Sequence, residues 1–546
     1  MKLYGLLFLV SNCFAQSHLS SSGNKDLWYH KDFILDNFHG TSLEKWKKEN
    51  KKHISNKIIV ATLDTQIDLE HEDLQDQFWI NKSEIPHNGI DDDKNGYIDD
   101  INGWHFVGKP NGGYFIYGNF EYTRIVRKYD SIFKNKKKED IEVNLQNDFN
   151  EYTYAKNYLE YYLDYYSNWR KSLTFNIEVY SKSKDTLKYF FPKENYNISD
   201  LDSLFKKHKI NDKPYWQRRD DNDTDLGSLI HYMIVNYQQN FTKLEHIVHK
   251  KNELDSIIMQ NLNVDFVDRK YIKDNPEKLE KGYGNNFLNS FKDLQYHNTE
   301  VSSIIAANSR NNIGTSGFHK NIKLMPLITS VSGDENDKDI AMAIYYAVDN
   351  GAKVINMSFG KEFSLHQEWV SKAIKYAEEN NVLIVLCAAN QSKNIDNEIT
   401  YPRDTYMWEE VEISNNCINV GSISKRIDST IVSPFSNYGK NNVDIFAPGE
   451  DIYVAIPDNQ YKYDSGTSLA APMISGTAAL IWLYYTNLTV QEVKQIILQS
   501  GVTIDKQVIK PGTENELVPF SELCKSGKIL NTYNAMKMAE EISKKK

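Results

Sequence analysis

Gly466-Thr467-Ser468-Leu469-Ala470-Ala471-Pro472 sets a serine between a glycine turn and a run of small, apolar residues. Met473 to Leu483 is apolar nearly all round, and Gly476, Ala478 and Ala479 allow close approach of neighbours, so the stretch predicts a buried helix. Ser468 then stands at the helix N-terminus, where free backbone N–H groups and the positive end of the helix dipole favour a developing anion. Gly466 leaves room there for a substrate's backbone. Serine is also a common N-cap residue, so this stretch needs partners elsewhere in the chain to mean catalysis.

A serine nucleophile needs a base and a group that orients the base. The base candidate is His297, which opens His297-Asn298-Thr299-Glu300-Val301 and is followed by Ser302-Ser303-Ile304-Ile305-Ala306-Ala307, a small, apolar segment suited to a second buried helix. The orienting candidate is Asp64. It ends Ile58-Ile59-Val60-Ala61-Thr62-Leu63, an apolar run rich in β-branched residues that reads as a buried parallel strand. The C-terminal end of such a strand faces the crevice where α/β sheets place their sites. A lone histidine is more often structural and an aspartate there is often a turn residue, so neither decides the matter alone.

Taken together, these segments resemble the subtilisin-like serine proteases, the subtilases. The resemblance rests on ATLDTQIDLEHEDL around Asp64, HNTEVSSIIAA around His297, INMSFG at Ile355 to Gly360, VLCAANQ around Asn390, and GTSLAAP around Ser468. The order Asp, His, Ser is the subtilisin order. The match covers about Trp28 to Gly108 and Asn285 to Ala539. It implies that Asp64 orients the imidazole, His297 acts as general base and then acid, Ser468 is acylated, and Asn390 donates to the oxyanion beside the Ser468 N–H. It further implies that Ser358-Phe359-Gly360 pairs with extended substrate as an added strand. Four positions depart from the pattern. Gln66, Asn298 and Ala389 stand where glycine is usual, and Glu300 where a second histidine is usual.

The remaining core alternates strands and helices: Lys323 to Leu327, a helix Asp337 to Asn350, Val354 to Ser358, a helix Leu365 to Asn380, and Val382 to Ala388, with helices Thr489 to Gln499 and Tyr533 to Ser543 to finish. The fold class expected is α/β, a subtilisin-like, mostly parallel sheet with helices on both faces, plus a largely helical insertion. That insertion, 109–284, divides the catalytic domain into 16–108 and 285–546. It holds 19 of the 35 tyrosines and balances 29 Lys/Arg against 27 Asp/Glu, so it is read as a unit with its own core. Tyr154, Tyr158, Tyr161, Tyr162, Tyr165 and Trp169 recur at helical spacing and are read as core, as is the run from Leu226 to Val248. Lying between the aspartate and histidine segments, the insertion is placed to flank or cap a cleft and to meet a protein partner.

Before it, Asn88-Gly89-Ile90-Asp91-Asp92-Asp93-Lys94-Asn95-Gly96-Tyr97-Ile98-Asp99-Asp100 follows calcium-loop spacing. Asp91, Asp93, Asn95 and the Tyr97 carbonyl are the expected ligands, with Gly96 at the turn. Asn102 takes the place of the usual bidentate glutamate, so Asp99 or Asp100 must substitute. An acidic turn without an ion is the alternative.

The N-terminus reads as an export signal at 1–15: Lys2, the apolar Leu6 to Val10, then small residues up to Ala15. Cleavage after Ala15 is favoured over lipid attachment at Cys13, because Asn12 precedes that cysteine. Cys387, Cys417 and Cys524 are too few for a disulfide framework, although one bridge has room to form. Ser42 to Asn50 reads as a serine-capped helix docked through Leu43 and Trp46. Too little chain then remains for a separately folded inhibitory domain. The expectation is folding without a removable propeptide, a mature start near Gln16, and any latency supplied by the insertion or a separate partner. A net charge of −10 gives no reason to expect nucleic acid. Three functions stay open: an exported endopeptidase acting on extended polypeptide, a catalytically impaired binding protein of the same fold, and a processing protease for one precursor.

Overall fold

The computed structural model describes residues 27–405 and 411–546; the export segment read at 1–15, with Cys13, lies outside them. The chain forms two compact units, Met1–Ile116 with Arg269–Lys546, and Tyr117–Asp268.

The first unit is built on a nine-stranded sheet. Its strands are β1 (Ile58–Asp64), β2 (Trp104–His105), β3 (Ile322–Ile328), β4 (Val354–Met357), β5 (Leu383–Cys387), β6 (Cys417–Ile423), β7 (Ile445–Pro448), β10 (Val502–Thr503) and β13 (Lys528–Ile529). The spatial order is β10-β13-β7-β6-β5-β4-β1-β3-β2, parallel throughout except for β10 against β13. Two hairpins lie outside it, β8 (Ile452–Ile456) with β9 (Gln460–Asp464), and β11 (Gln507–Ile509) with β12 (Leu517–Pro519). Strands β1 and β3 to β7 are mostly apolar and buried on both sides, as a sheet covered on both faces requires. The longer helices of this unit are α1 (Leu43–Glu49), α2 (Tyr296–Ala306), α3 (Asp337–Asp349), α4 (Gln367–Glu379), α5 (Thr467–Tyr484), α6 (Val490–Ser500) and α7 (Thr532–Lys544). α2 and α5 pack together on β1, β3 and β4, while α3 and α4 pack together on β1 and β5. α5 is long and apolar enough to cross a membrane, but it lies almost wholly inside the protein core. The thiols of Cys387, Cys417 and Cys524 are buried and unbridged.

α1 docks as its sequence suggests, with Leu43 and Trp46 buried and the Trp46 ring edge-on to Tyr484 at 4.9 Å. The serine cap is corrected. Ser42 sits at φ 57° and makes no side-chain cap; its hydroxyl instead accepts from Asn531 Nδ2 at 3.0 Å, tying α1 to the start of α7.

The second unit is shorter than the insertion read from the sequence, because both flanks belong to the sheet unit. Asn285 Nδ2 donates to the Lys109 carbonyl, and Trp104 Nε1 to the Tyr283 carbonyl, each at 2.8 Å. Arg269 pairs with Asp339 at 2.6 Å. Tyr117–Asp268 itself is helical, dominated by a 43-residue helix, Gln146–Lys188. Its buried face runs through Phe149, Tyr152, Leu159, Tyr166, Leu173 and Val179, so the expected aromatic core is out of phase. Tyr154, Tyr161 and Tyr165 are exposed, their rings touching Tyr158, Tyr162 and Trp169 respectively. The run Leu226 to Val248 is two helices, Leu226–Gln238 and Leu244–Ser256, because Asn240 turns left-handed at φ 60° and ends the first.

Candidate active site

Asp64 closes β1 and is 2 % exposed; its Oδ1 accepts from the Thr65 N–H at 2.7 Å and meets His297 Nδ1 at 2.7 Å. With Nδ1 held as donor, Nε2 is the lone-pair nitrogen of the neutral ring, and it is shielded from solvent without a hydrogen-bond partner. Burial opposes a charge on this ring, yet the Asp64 carboxylate, helped by Glu300 and Asp464, pushes His297 up to about 9. His297 occupies the first turn of α2, and Ser468 the first turn of α5, which packs against α2.

Asn390 follows β5. Its Oδ1 accepts from the Thr467 N–H at 2.8 Å and from Thr467 Oγ1 at 2.9 Å, so the amide is oriented with Nδ2 pointing away from Thr467. A Cβ added to Gly466 would stand 2.9 Å from Ser468 Oγ and 3.6 Å from Asn390 Nδ2. The space over Gly466 is therefore the space between hydroxyl and amide, and Gly466 itself is extended at φ 170°. Burial pushes the neighbouring Cys387 thiol up to about 11, which removes it as a competing nucleophile at neutral pH.

Ser358, Phe359 and Gly360 run on beyond β4, whose ladders to β1 and β5 end at Met357, and the next residue, Lys361, bridges to Tyr401. The Ser358 side chain is fully buried and turned inward, donating to the Ser468 carbonyl at 2.8 Å. The substituted glycine positions resolve separately. Ala389 stands at φ 72°, a strained conformation for alanine, directly before Asn390. Asn298 is helical, and its Nδ2 clamps the Thr65 carbonyl at 2.8 Å. Gln66 is buried with Oε1 accepting from the Phe291 N–H at 2.7 Å.

The acidic loop is redistributed. Asp91 accepts from the Asn95 and Gly96 N–H groups, and Asp99 from those of Asn88 and Gly89, so both build the turn. Tyr97 packs its ring on Trp104, Phe106 and Tyr346. Asn95 Nδ2 donates to Asp93 and Asp100. The oxygens that converge are those of Asp93, Asp100 and Glu84, all within 4.8 Å of one another. Burial pushes Asp100 up to about 6, opposed by hydrogen bonds from Tyr346, Asn95 and Asn81, with Asp93 adding to the rise. Glu84 carries no sequence signal, lying outside the loop's spacing.

An aspartate at a strand end thus meets a histidine on one of two packed helices, the other of which carries Ser468. The model of the Subtilase family matches residues 55–518. The chain belongs to the subtilase family. Among similar subtilases are the cell wall-associated protease of Bacillus subtilis (strain 168), 34% identical over 241 residues, and that organism's major intracellular serine protease, 35% identical over 201 residues. These matches take in 43% and 36% of this chain, and span 25% and 57% of the relatives' own lengths. A solved structure, the prenylagaramide maturation protease PagA, is similar at 27% identity and TM-score 0.36, covering 45% of this subtilase and 82% of that chain.

Proposed function

We propose that this subtilase is an exported serine endopeptidase that hydrolyses extended or unfolded polypeptide through Asp64, His297 and Ser468. The observation that carries the reading is the 2.7 Å Asp64–His297 bond, which fixes the tautomer with a shielded, unpartnered Nε2. Nε2 takes the Ser468 Oγ proton as Oγ attacks the scissile carbonyl. The resulting oxyanion is met by Asn390 Nδ2 and the Ser468 N–H over Gly466. His297 then gives its proton to the leaving amine, and a water, activated in the same way, releases the acyl group. The substrate strand adds to the backbone of Ser358-Phe359-Gly360. Whether cleavage is broad or confined to one precursor is decided by a peptide library. Digestion of a denatured protein by the wild type, absent in Ser468→Ala, tests the assignment; equal digestion by both rejects it.

Calcium is proposed as a structural ion. Asp93, Asp100 and Glu84 would hold it, since hard oxygen donors from carboxylates suit that cation and the gathered charge calls for one. When bound it supplies charge neutralisation and rigidity to the 84–100 segment and takes no part in peptide hydrolysis.

A further inference from the structure

We propose that Glu300, fixed by Lys462, is a positioning residue that acts through His297: a second buried carboxylate which, with Asp64, sets the proton affinity of the base and so the pH range of the enzyme. This inference rests on the protease reading above.

Glu300 follows His297 by three residues in α2, so the two share one helix face. It is 4 % exposed. Its Oε1 lies 2.7 Å from Lys462 Nζ, which in turn lies 2.6 Å from Asp464. Lys462 and Asp464 belong to β9, and the chain passes from Asp464 through Ser465 and Gly466 into α5. The pair therefore joins the helix of the base to the strand that leads into the helix of the nucleophile. The hairpin is pinned to α2 a second time by the Ala455 N–H, which donates to Ser303 Oγ at 3.1 Å.

Burying a carboxylate is costly, and a buried ion pair is often no more stabilising than an apolar pair of similar volume. A purely architectural clamp gains little from these charges. An anion one helical turn from an imidazole does have a specific consequence: it favours the imidazolium. The charged and titratable groups on the elements around His297 are these: β1 presents Asp64, α2 presents Glu300 and Tyr296, the turn Lys292–Leu294 that leads into α2 carries Lys292 and Asp293, with Lys292 paired to Asp458, β9 presents Lys462 and Asp464, and the first turns of α5 carry no ionisable carboxylate, amine or imidazole. Glu300 and Asp464 act in the same direction as Asp64 on this ring, against its burial. Burial pushes Glu300 up to about 7, although Lys462 and the His297 imidazolium oppose it, so the carboxylate is ionised in the range around pH 9 where His297 titrates; Lys462 is itself held charged by the two carboxylates.

The test is a pH titration of the His297 imidazole by NMR in the wild type and Glu300→Gln, with the rate of fluorophosphonate labelling of Ser468 followed over the same pH range. The midpoint and the acid limb of labelling should move down together, by about half to one pH unit, which is a modest electrostatic perturbation. Because Glu300→Gln leaves Lys462 paired with Asp464 alone, the double variant Glu300→Gln/Lys462→Met is measured beside it and should keep the downward shift. A folded variant whose His297 midpoint and acid limb both stay in place overturns the proposal. Loss of rate without any movement on the pH axis overturns it too, since that is the mark of a structural role. A wild type that is labelled at no pH overturns the protease reading, and the catalytic half of this inference with it, whatever the NMR midpoint does.

Discussion

Ser358 Oγ donates to the Ser468 carbonyl at 2.8 Å, and the reason lies four residues further along α5. The natural donor to that carbonyl would be the N–H of residue 472, which is proline and has none. Ser358 supplies the missing donor and is itself held by Asn356 Nδ2 at 2.9 Å, whose Oδ1 accepts from Ser475 Oγ at 2.8 Å. A buried chain of three side chains thus returns from the third turn of α5 to its first. Ser358→Ala leaves a buried carbonyl unsatisfied and should cost about 1–3 kcal/mol of stability, read as a lowered Tm. An unchanged Tm would show the bond to be idle.

Gly466 and Asn390 allow a sharper dissection. Gly466 is extended, so alanine fits its backbone, but the new methyl would enter the space between Ser468 Oγ and Asn390 Nδ2. Gly466→Ala should fold with near wild-type Tm and lose most of its turnover. Asn390→Ala should lower kcat by about a hundredfold to a thousandfold with KM little changed, the usual effect of removing one oxyanion donor. Retained kcat in both variants would exclude this pair from the chemistry.

Calcium should raise the Tm of the wild type in a concentration-dependent way, because an ion bound only by the folded state stabilises it by mass action. Glu84→Gln removes one of the three converging carboxylates and should blunt the response while leaving kcat unchanged in saturating calcium. Identical Tm values with calcium and with chelator would remove the ion from the account.

Glu335 makes stability depend on pH. Burial pushes it from the usual 4.5 up to about 7, despite the hydrogen bond donated by Ser330 Oγ at 2.6 Å. Between those values the folded state keeps a proton that the unfolded chain has released, so the stability present below about pH 4.5 is lost as pH rises towards 7. Glu335→Gln keeps the buried polar group without the titration. Its Tm should fall less steeply across that window than the wild type's, and parallel curves would contradict the assignment.

Much of this was legible before any coordinates. The apolar strands and the helix that follows Ser468 are fixed by local pattern, and their ends fall within about two residues of the sequence reading. Asp64, His297 and Asn390 are legible because each sits in its own short motif. What stayed hidden depends on partners distant in the chain. The sequence suggests a role for the Ser358 backbone, but the bond from its side chain to the Ser468 carbonyl, left without a donor by Pro472, emerges only on folding, as does the meeting of Glu84 with Asp93 and Asp100. The long helix Gln146–Lys188 carries tyrosines on several faces, so aromatic spacing alone does not set which face is buried. Ala389 is the reverse case, where the structure keeps the left-handed turn that glycine would favour and the sequence supplies alanine.

The central claim is that Ser468 is the nucleophile activated by His297. Incubation with a fluorophosphonate followed by peptide mass spectrometry tests it most directly. The account predicts one covalent adduct, on Ser468, formed rapidly in the wild type, slowed in His297→Ala by about a thousandfold or more, and absent in Ser468→Ala. An adduct on another residue, or none on wild-type protein shown to be folded, would contradict it.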